Sequence, residues 1–118
     1  MNSNKEIAKT WLKCFNIKDL EGLLTLYNIK AQHYSPKLKL KLPESKGLIM
    51  GKEALRRWWL DAFERLPDLN YELVNLIADD KQVFIEYIRR TKNEEDLRVG
   101  EVLQIENGLI VFSRVYHG

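Results

Sequence analysis

The chain has 118 residues, 45% of them hydrophobic and 31% charged, with 19 Lys and Arg against 17 Asp and Glu for a formal net charge of +2. That length suits one domain around one core, and with only six Gly and three Pro the composition excludes a disordered or collagen-like chain. No apolar run nears the ~20 residues of a membrane span, the charge balance argues against a nucleic-acid binder, and a single Cys14 excludes an internal disulfide or a cysteine-based metal cluster.

The start, MNSNKEIAKTW, lacks an apolar stretch behind a basic flank, so a cytoplasmic protein is expected rather than a secreted one. Ser3-Asn4-Lys5-Glu6 has the spacing of a capping box, and Ile7, Ala8, Trp11, Leu12 and Phe15 behind it share one helical face. Asp19 is placed to cap a second short helix with Leu20, Leu23, Leu24 and Tyr27 on its apolar side. Ala31 to Ser35, ended by Pro36, reads as a short strand. Lys37 to Leu42 alternates Lys and Leu, and a period of two predicts a strand with lysines on one side and leucines on the other. Such a stripe is either a basic surface for an anionic ligand or lipid, or an edge strand or flap whose lysines deter sheet-to-sheet association. Gly51 opens a helix whose apolar stripe holds Leu55, Trp58, Trp59, Ala62, Phe63 and Leu66, and Pro67 stops it. Strand-like runs follow at Tyr71 to Ala78, Val83 to Thr91 and Arg98 to Ile105, the last turning at Asn107-Gly108 into Leu109 to His117. Helices followed by an antiparallel meander predict one α+β domain over residues 1–118.

Phosphate loops, dinucleotide glycine fingerprints, HExxH and nucleophile elbows are all missing from the sequence. With His33, His117 and one cysteine, a histidine–cysteine zinc site has too few ligands, so no metal is expected. What remains is a polar group on an apolar strand face. Val99, Glu101, Leu103 and Ile105 share one parity. If that face lies inward, the Glu101 carboxyl is buried, its pKa rises, and it can donate a hydrogen bond or move a proton. The competing expectation is an ion pair from Glu101 to Arg89 or Arg114 on neighbouring strands. His33 and Ser35 share a parity just before Pro36, and His117 shares one with Ser113 and Val115. These polar residues are candidates for the same cavity, with Trp11, Trp58, Trp59, Phe63 and Tyr87 as core or pocket wall.

The chain resembles the nuclear-transport-factor-2-like superfamily, within its SnoaL-like polyketide-cyclase and ketosteroid-isomerase branch. The resemblance rests on Trp11-Leu12 to Asn16, Lys18-Asp19-Leu20-Glu21-Gly22-Leu23 leading to Leu26-Tyr27, Ser35-Pro36, Gly51-Lys52-Glu53-Ala54-Leu55, Pro67-Asp68-Leu69 and Glu106-Asn107-Gly108-Leu109-Ile110. It implies a cone-shaped roll in which a curved, mainly antiparallel sheet wraps three helices of the N-terminal half. A deep hydrophobic cavity lies between them, and pairs of chains meet through the outer sheet face. Ser35 stands where ketosteroid isomerases carry their Asp base, Trp11 where they carry an oxyanion-donating Tyr, and Glu101 where they carry a neutral Asp. Val115 and Ser113 stand where SnoaL-like cyclases carry an Asp and, frequently, a His.

Two readings follow. The first is a small apolar-molecule pocket protein with isomerase- or cyclase-type proton transfer on a carbonyl or enol compound. Glu101 and His33 are its catalytic pair, and Trp11, Ser35, Trp58, Phe63, Tyr87, Ser113 and His117 line the substrate. It needs no metal or organic cofactor and engages neither nucleic acid nor membrane, and it forms a homodimer through the sheet. The second is a non-catalytic ligand-binding or assembly module on the same fold.

Overall fold

The computed structural model describes residues 3–117. Helix α1 (Asn4–Ile17) starts where Ser3 accepts a hydrogen bond from the Glu6 N–H at 3.2 Å. The Glu6 carboxylate turns to Lys9 instead of closing the box. The expected face of Ile7, Ala8, Trp11, Leu12 and Phe15 is buried, and Lys18 ends the helix in the left-handed region at φ 60°. Asp19 caps the short α2 (Leu20–Thr25) by accepting from the Gly22 N–H. Tyr27, expected on that helix, instead opens strand β1 (Tyr27–Tyr34).

The Lys–Leu alternation corrects the sequence reading. Residues Pro36–Lys41 form a helix, α3, not a strand. Ser35 accepts from the Lys37 N–H at 3.2 Å, and Pro36 fills the first turn, where a missing N–H costs nothing. Over so short a segment, the start signal outweighs the period. The leucines accordingly split, with Leu38 fully buried and Leu40 81% exposed. Strand β2 (Leu48–Met50), unforeseen at three residues, pairs antiparallel with β1. Gly51, at φ 91°, then leads into α4 (Lys52–Arg65), so four α-helices are present among the described residues where three helices were expected.

Strands β3 (Asn70–Ala78), β4 (Gln82–Arg90), β5 (Leu97–Glu106) and β6 (Leu109–Tyr116) lie close to their expected bounds. Asn107 and Gly108 both take positive φ in the β5–β6 turn, as a tight hairpin needs. The six strands run in the order β2-β1-β6-β5-β4-β3, antiparallel throughout except that β1 and β6 are parallel. Bulges in β3 and β6 help the sheet bend. Its concave face, with Val83, Ile85 and Tyr87 of β4 and Val99, Leu103 and Ile105 of β5, closes on α1 and α4 in one aromatic-rich core. This is the expected α+β architecture, a curved sheet against helices. No helix among the described residues is long and apolar enough to cross a membrane.

Candidate functional site

The core does not fill the whole space under the sheet. A cavity of about 180 Å³ remains between α3, α4 and the inner faces of β3, β4 and β5. Trp58, Trp59, Leu66, Leu69, Tyr71, Tyr87 and Val99 supply much of its wall, with Glu101 and His33 among them.

Glu101 is there because its strand parity faces inward, between Ile85 of β4 and Val115 of β6. It is 2% exposed. Its one hydrogen bond comes from the Tyr87 phenol, which donates to Oε1 at 2.8 Å. Burial pushes the carboxyl up to about 8, against the smaller opposing pull of that bond. Neither expected arginine reaches it. Arg89 donates to Glu94 at 2.7 Å, while Arg114 donates to Gln104 at 2.6 Å and covers the Phe112 ring. Tyr71 stacks on Tyr87 at 4.2 Å between centroids. Both phenols are held neutral, first by burial and then by the nearby carboxyl.

His33 belongs to a different network. The parallel β1–β6 register sets it beside Ser113, whose Oγ lies 2.6 Å from His33 Nδ1. The Tyr27 O–H donates to the same Oγ at 3.0 Å, and Trp11 Nε1–H donates to the Tyr27 oxygen at 3.0 Å. An indole N–H only donates, so the wire runs one way. Trp11 feeds Tyr27, Tyr27 feeds Ser113, and the Ser113 hydroxyl proton is left for His33 Nδ1. With Nδ1 accepting in this way, the remaining proton of the neutral ring is on Nε2. Burial drives the imidazole down to about 4, outweighing the opposing pull of the Ser113 backbone, so neutral is its state near pH 7.

Other expected site residues divide between cavity and core. Ser35, Trp58, Tyr87 and His117 line the cavity. Trp11, Phe63 and Ser113 do not. Trp11 is fully buried with its N–H spent on Tyr27, Phe63 packs edge-on against Phe15, and Ser113 sits at 0% exposure behind His33. Ser35 spends its hydroxyl on capping α3.

The sequence reading missed the charged mouth, made of Lys37, Lys41, Arg65, Arg89 and Glu94. Arg89 was open to discovery, because it shares the inward parity of Val83, Ile85 and Tyr87. No group of three or more His, Cys, Asp or Glu suited to a metal occurs among the described residues.

Residues 8–113 match the family described as SnoaL-like domain. Among solved structures, a SnoaL-like protein of unknown function from Burkholderia thailandensis superposes at a TM-score of 0.86, with 23% identity over 98% of this chain and 93% of that one. A candidate polyketide cyclase from Sinorhizobium meliloti gives 0.79, with 13% identity over 94% of each chain. A candidate ketosteroid isomerase from Kribbella flavida gives 0.78, with 16% identity over 98% of this chain and 77% of that one. At these identities the likeness is one of fold. No curated protein matches the sequence.

Proposed function

The chain belongs to the SnoaL-like domain family, and from that premise we propose that it binds a small apolar carbonyl or enol compound and moves a proton on it. The observation that carries this reading is Glu101, a carboxyl on a cavity wall, buried without a cation and held only by a phenol. Ionised, it takes the proton beside the substrate carbonyl and returns it at the same or a conjugated carbon. With a value of about 8, roughly a tenth is ionised at pH 7 and its basicity is matched to neutral operation. The His33 Nε2–H, fixed by the wire behind it, donates to the oxygen on which enolate charge grows. Trp58, Tyr87 and the capping Ser35 shape the space around the substrate. Such chemistry is complete with a base and an oxyanion donor, so neither metal nor organic cofactor is required.

The test is exchange of α-protons in D₂O, followed by proton NMR, on a panel of apolar ketones and 1,3-dicarbonyls. Wild type accelerates the loss of signal. Glu101→Gln lowers that rate by about a hundredfold or more, and His33→Ala lowers it less. The rate rises with pH through about 8 and then levels, as Glu101 becomes ionised. Panel members that bind but exchange no faster than in Glu101→Gln overturn the enzymatic role.

That outcome would favour the second reading, a binding or assembly module. Its supporting observation is Ser35, which stands in the place of the isomerase base but carries no carboxylate and is occupied as a helix cap. Either role is compatible with a homodimer through the outer sheet face, where Ile77, Phe84 and Tyr116 are exposed. Sedimentation of wild type against Phe84→Glu tests it, with a monomeric wild type as the negative result.

A further inference from the structure

The mouth of the cavity carries positive charge that its own residues leave unmatched. Lys37 enters from the first turn of α3, Arg89 from the end of β4, and His117 from just past β6. Arg89, 7% exposed, gives one N–H to Glu94. Among the described residues, Glu94 is the only wall carboxylate besides Glu101. Lys37 has no ion pair among the described residues, and Arg65 spends its charge on Asp61 outside the cavity. His117 Nε2 is buried with no hydrogen-bond partner. These groups line one cavity and act on one another: after burial, Lys37 and Arg89 lower the basicity of His117, while Arg89, Lys41 and Arg65 lower that of Lys37 against an opposing pull from Glu94. Like charges gathered at a partly dry opening are unfavourable until a counter-charge sits among them.

We propose that the space between Lys37, Arg89 and His117 is a subsite for the carboxylate of an apolar organic acid, held with its acid end at the mouth and its apolar end toward Glu101. This deepens the reading above and rests on it: the compound processed at Glu101 is a keto or enol acid. A monoanion fits the charge among these three residues. Glu94 already offsets Arg89, which leaves Lys37 as the cation of the three in need of a partner, while the guanidinium keeps unspent N–H donors for a planar acceptor. Lys41 is a second lysine of the wall that has no ion pair among the described residues. Size agrees as well. An apolar cavity of roughly 150 Å³ takes a benzene ring, and this one measures about 180 Å³ behind its charged rim.

Isothermal titration with 3-phenylpropanoate and its neutral isostere 3-phenylpropanamide separates the possibilities. The carboxylate binds about tenfold tighter or more, as one charge-assisted bond implies, and added salt weakens only the carboxylate. Lys37→Gln removes most of that preference and leaves the Kd of the amide unchanged. Glu94→Gln enlarges it, because the competing carboxylate is gone. Equal or tighter binding of the amide overturns the subsite while leaving the pocket reading intact, and so does a preference that survives Lys37→Gln. Failure of both probes to bind at millimolar concentration overturns the subsite and the pocket reading together.

Discussion

Glu101 and His33 line the same cavity, and burial neutralises both, yet they are held in opposite ways. Glu101 hangs on a single phenol, with Tyr87 as its one hydrogen-bond donor. His33 closes a wire that runs through Ser113 and Tyr27 to an indole in the middle of α1. The shared cause is desolvation, which lifts an acid and lowers a base. The difference lies in what each has left to give. The carboxyl is lightly restrained and able to change charge, whereas the imidazole is locked into one tautomer and suited to donate without titrating. A general base and a fixed oxyanion donor call for those two characters respectively.

The contrast breaks most visibly in the pH dependence of stability. Glu101 has a folded value of about 8 against 4.5 for the ordinary group, so the folded state binds the extra proton. Its contribution is whole below about 4.5 and is lost as pH rises to about 8. His33 has the reverse sign. With its value lowered from 6.5 to about 4, stability is whole above 6.5 and is lost as pH falls toward 4. Where those ranges overlap, from about 4.5 to 6.5, the two slopes oppose each other, and above pH 6.5 only that of Glu101 remains. Urea unfolding at pH 5 and pH 8 therefore shows Glu101→Gln gaining about 3 kcal/mol on wild type between the two conditions. A wild-type stability that stays level from pH 6.5 to 8, with Glu101→Gln parallel to it, would mean that Glu101 is already ionised in the fold.

The wire is broken more cheaply, and in a way that depends on where it is cut. Ser113→Ala removes its middle and leaves the Tyr27 O–H and His33 Nδ1 without partners at a site closed to solvent. About 2 kcal/mol of stability is lost. Trp11→Phe removes only the first donor and strands no proton, so the polar part of its cost is about 1 kcal/mol. A Ser113→Ala loss near zero, measured by urea unfolding, would show that no such wire exists.

How far the sequence foretold this arrangement depends on the kind of signal each residue emits. Strand parity alone put Glu101 inward, and four strands and two long helices were legible from apolar periodicity and turn chemistry. Glu101 was legible because a lone carboxylate interrupts an otherwise apolar face. The wire was not, since Trp11, Tyr27, Ser113 and His33 meet only through the parallel β1–β6 pairing, and no local pattern encodes that register. Tyr27 in particular reads as the last apolar position of α2, because nothing in Thr25-Leu26 announces the end of the helix. Lys37 was hidden by the alternation around it. A strand would have turned it outward with its fellow lysines, and it is the Ser35 cap and Pro36 that coil the segment and bring the ammonium to the cavity.

The smallest change sharpens the comparison at Glu101 itself. Tyr87→Phe keeps the ring that stacks on Tyr71 and deletes only the O–H that reaches Oε1. That bond favours the ionised carboxylate, working against burial, so its loss moves the carboxyl further above about 8. The rising limb of the exchange rate moves up in pH with it. Carbonyl-carbon NMR of the Glu101 side chain reports the titration directly, and urea unfolding at pH 5 changes by under about 1 kcal/mol, because the protonated acid keeps its own O–H and loses only one accepted bond. A titration that moves down instead would mean that Tyr87 takes its hydrogen bond from a protonated Glu101 rather than giving one. The phenol would then be the group that reaches the substrate oxygen, and Glu101 the residue that positions it.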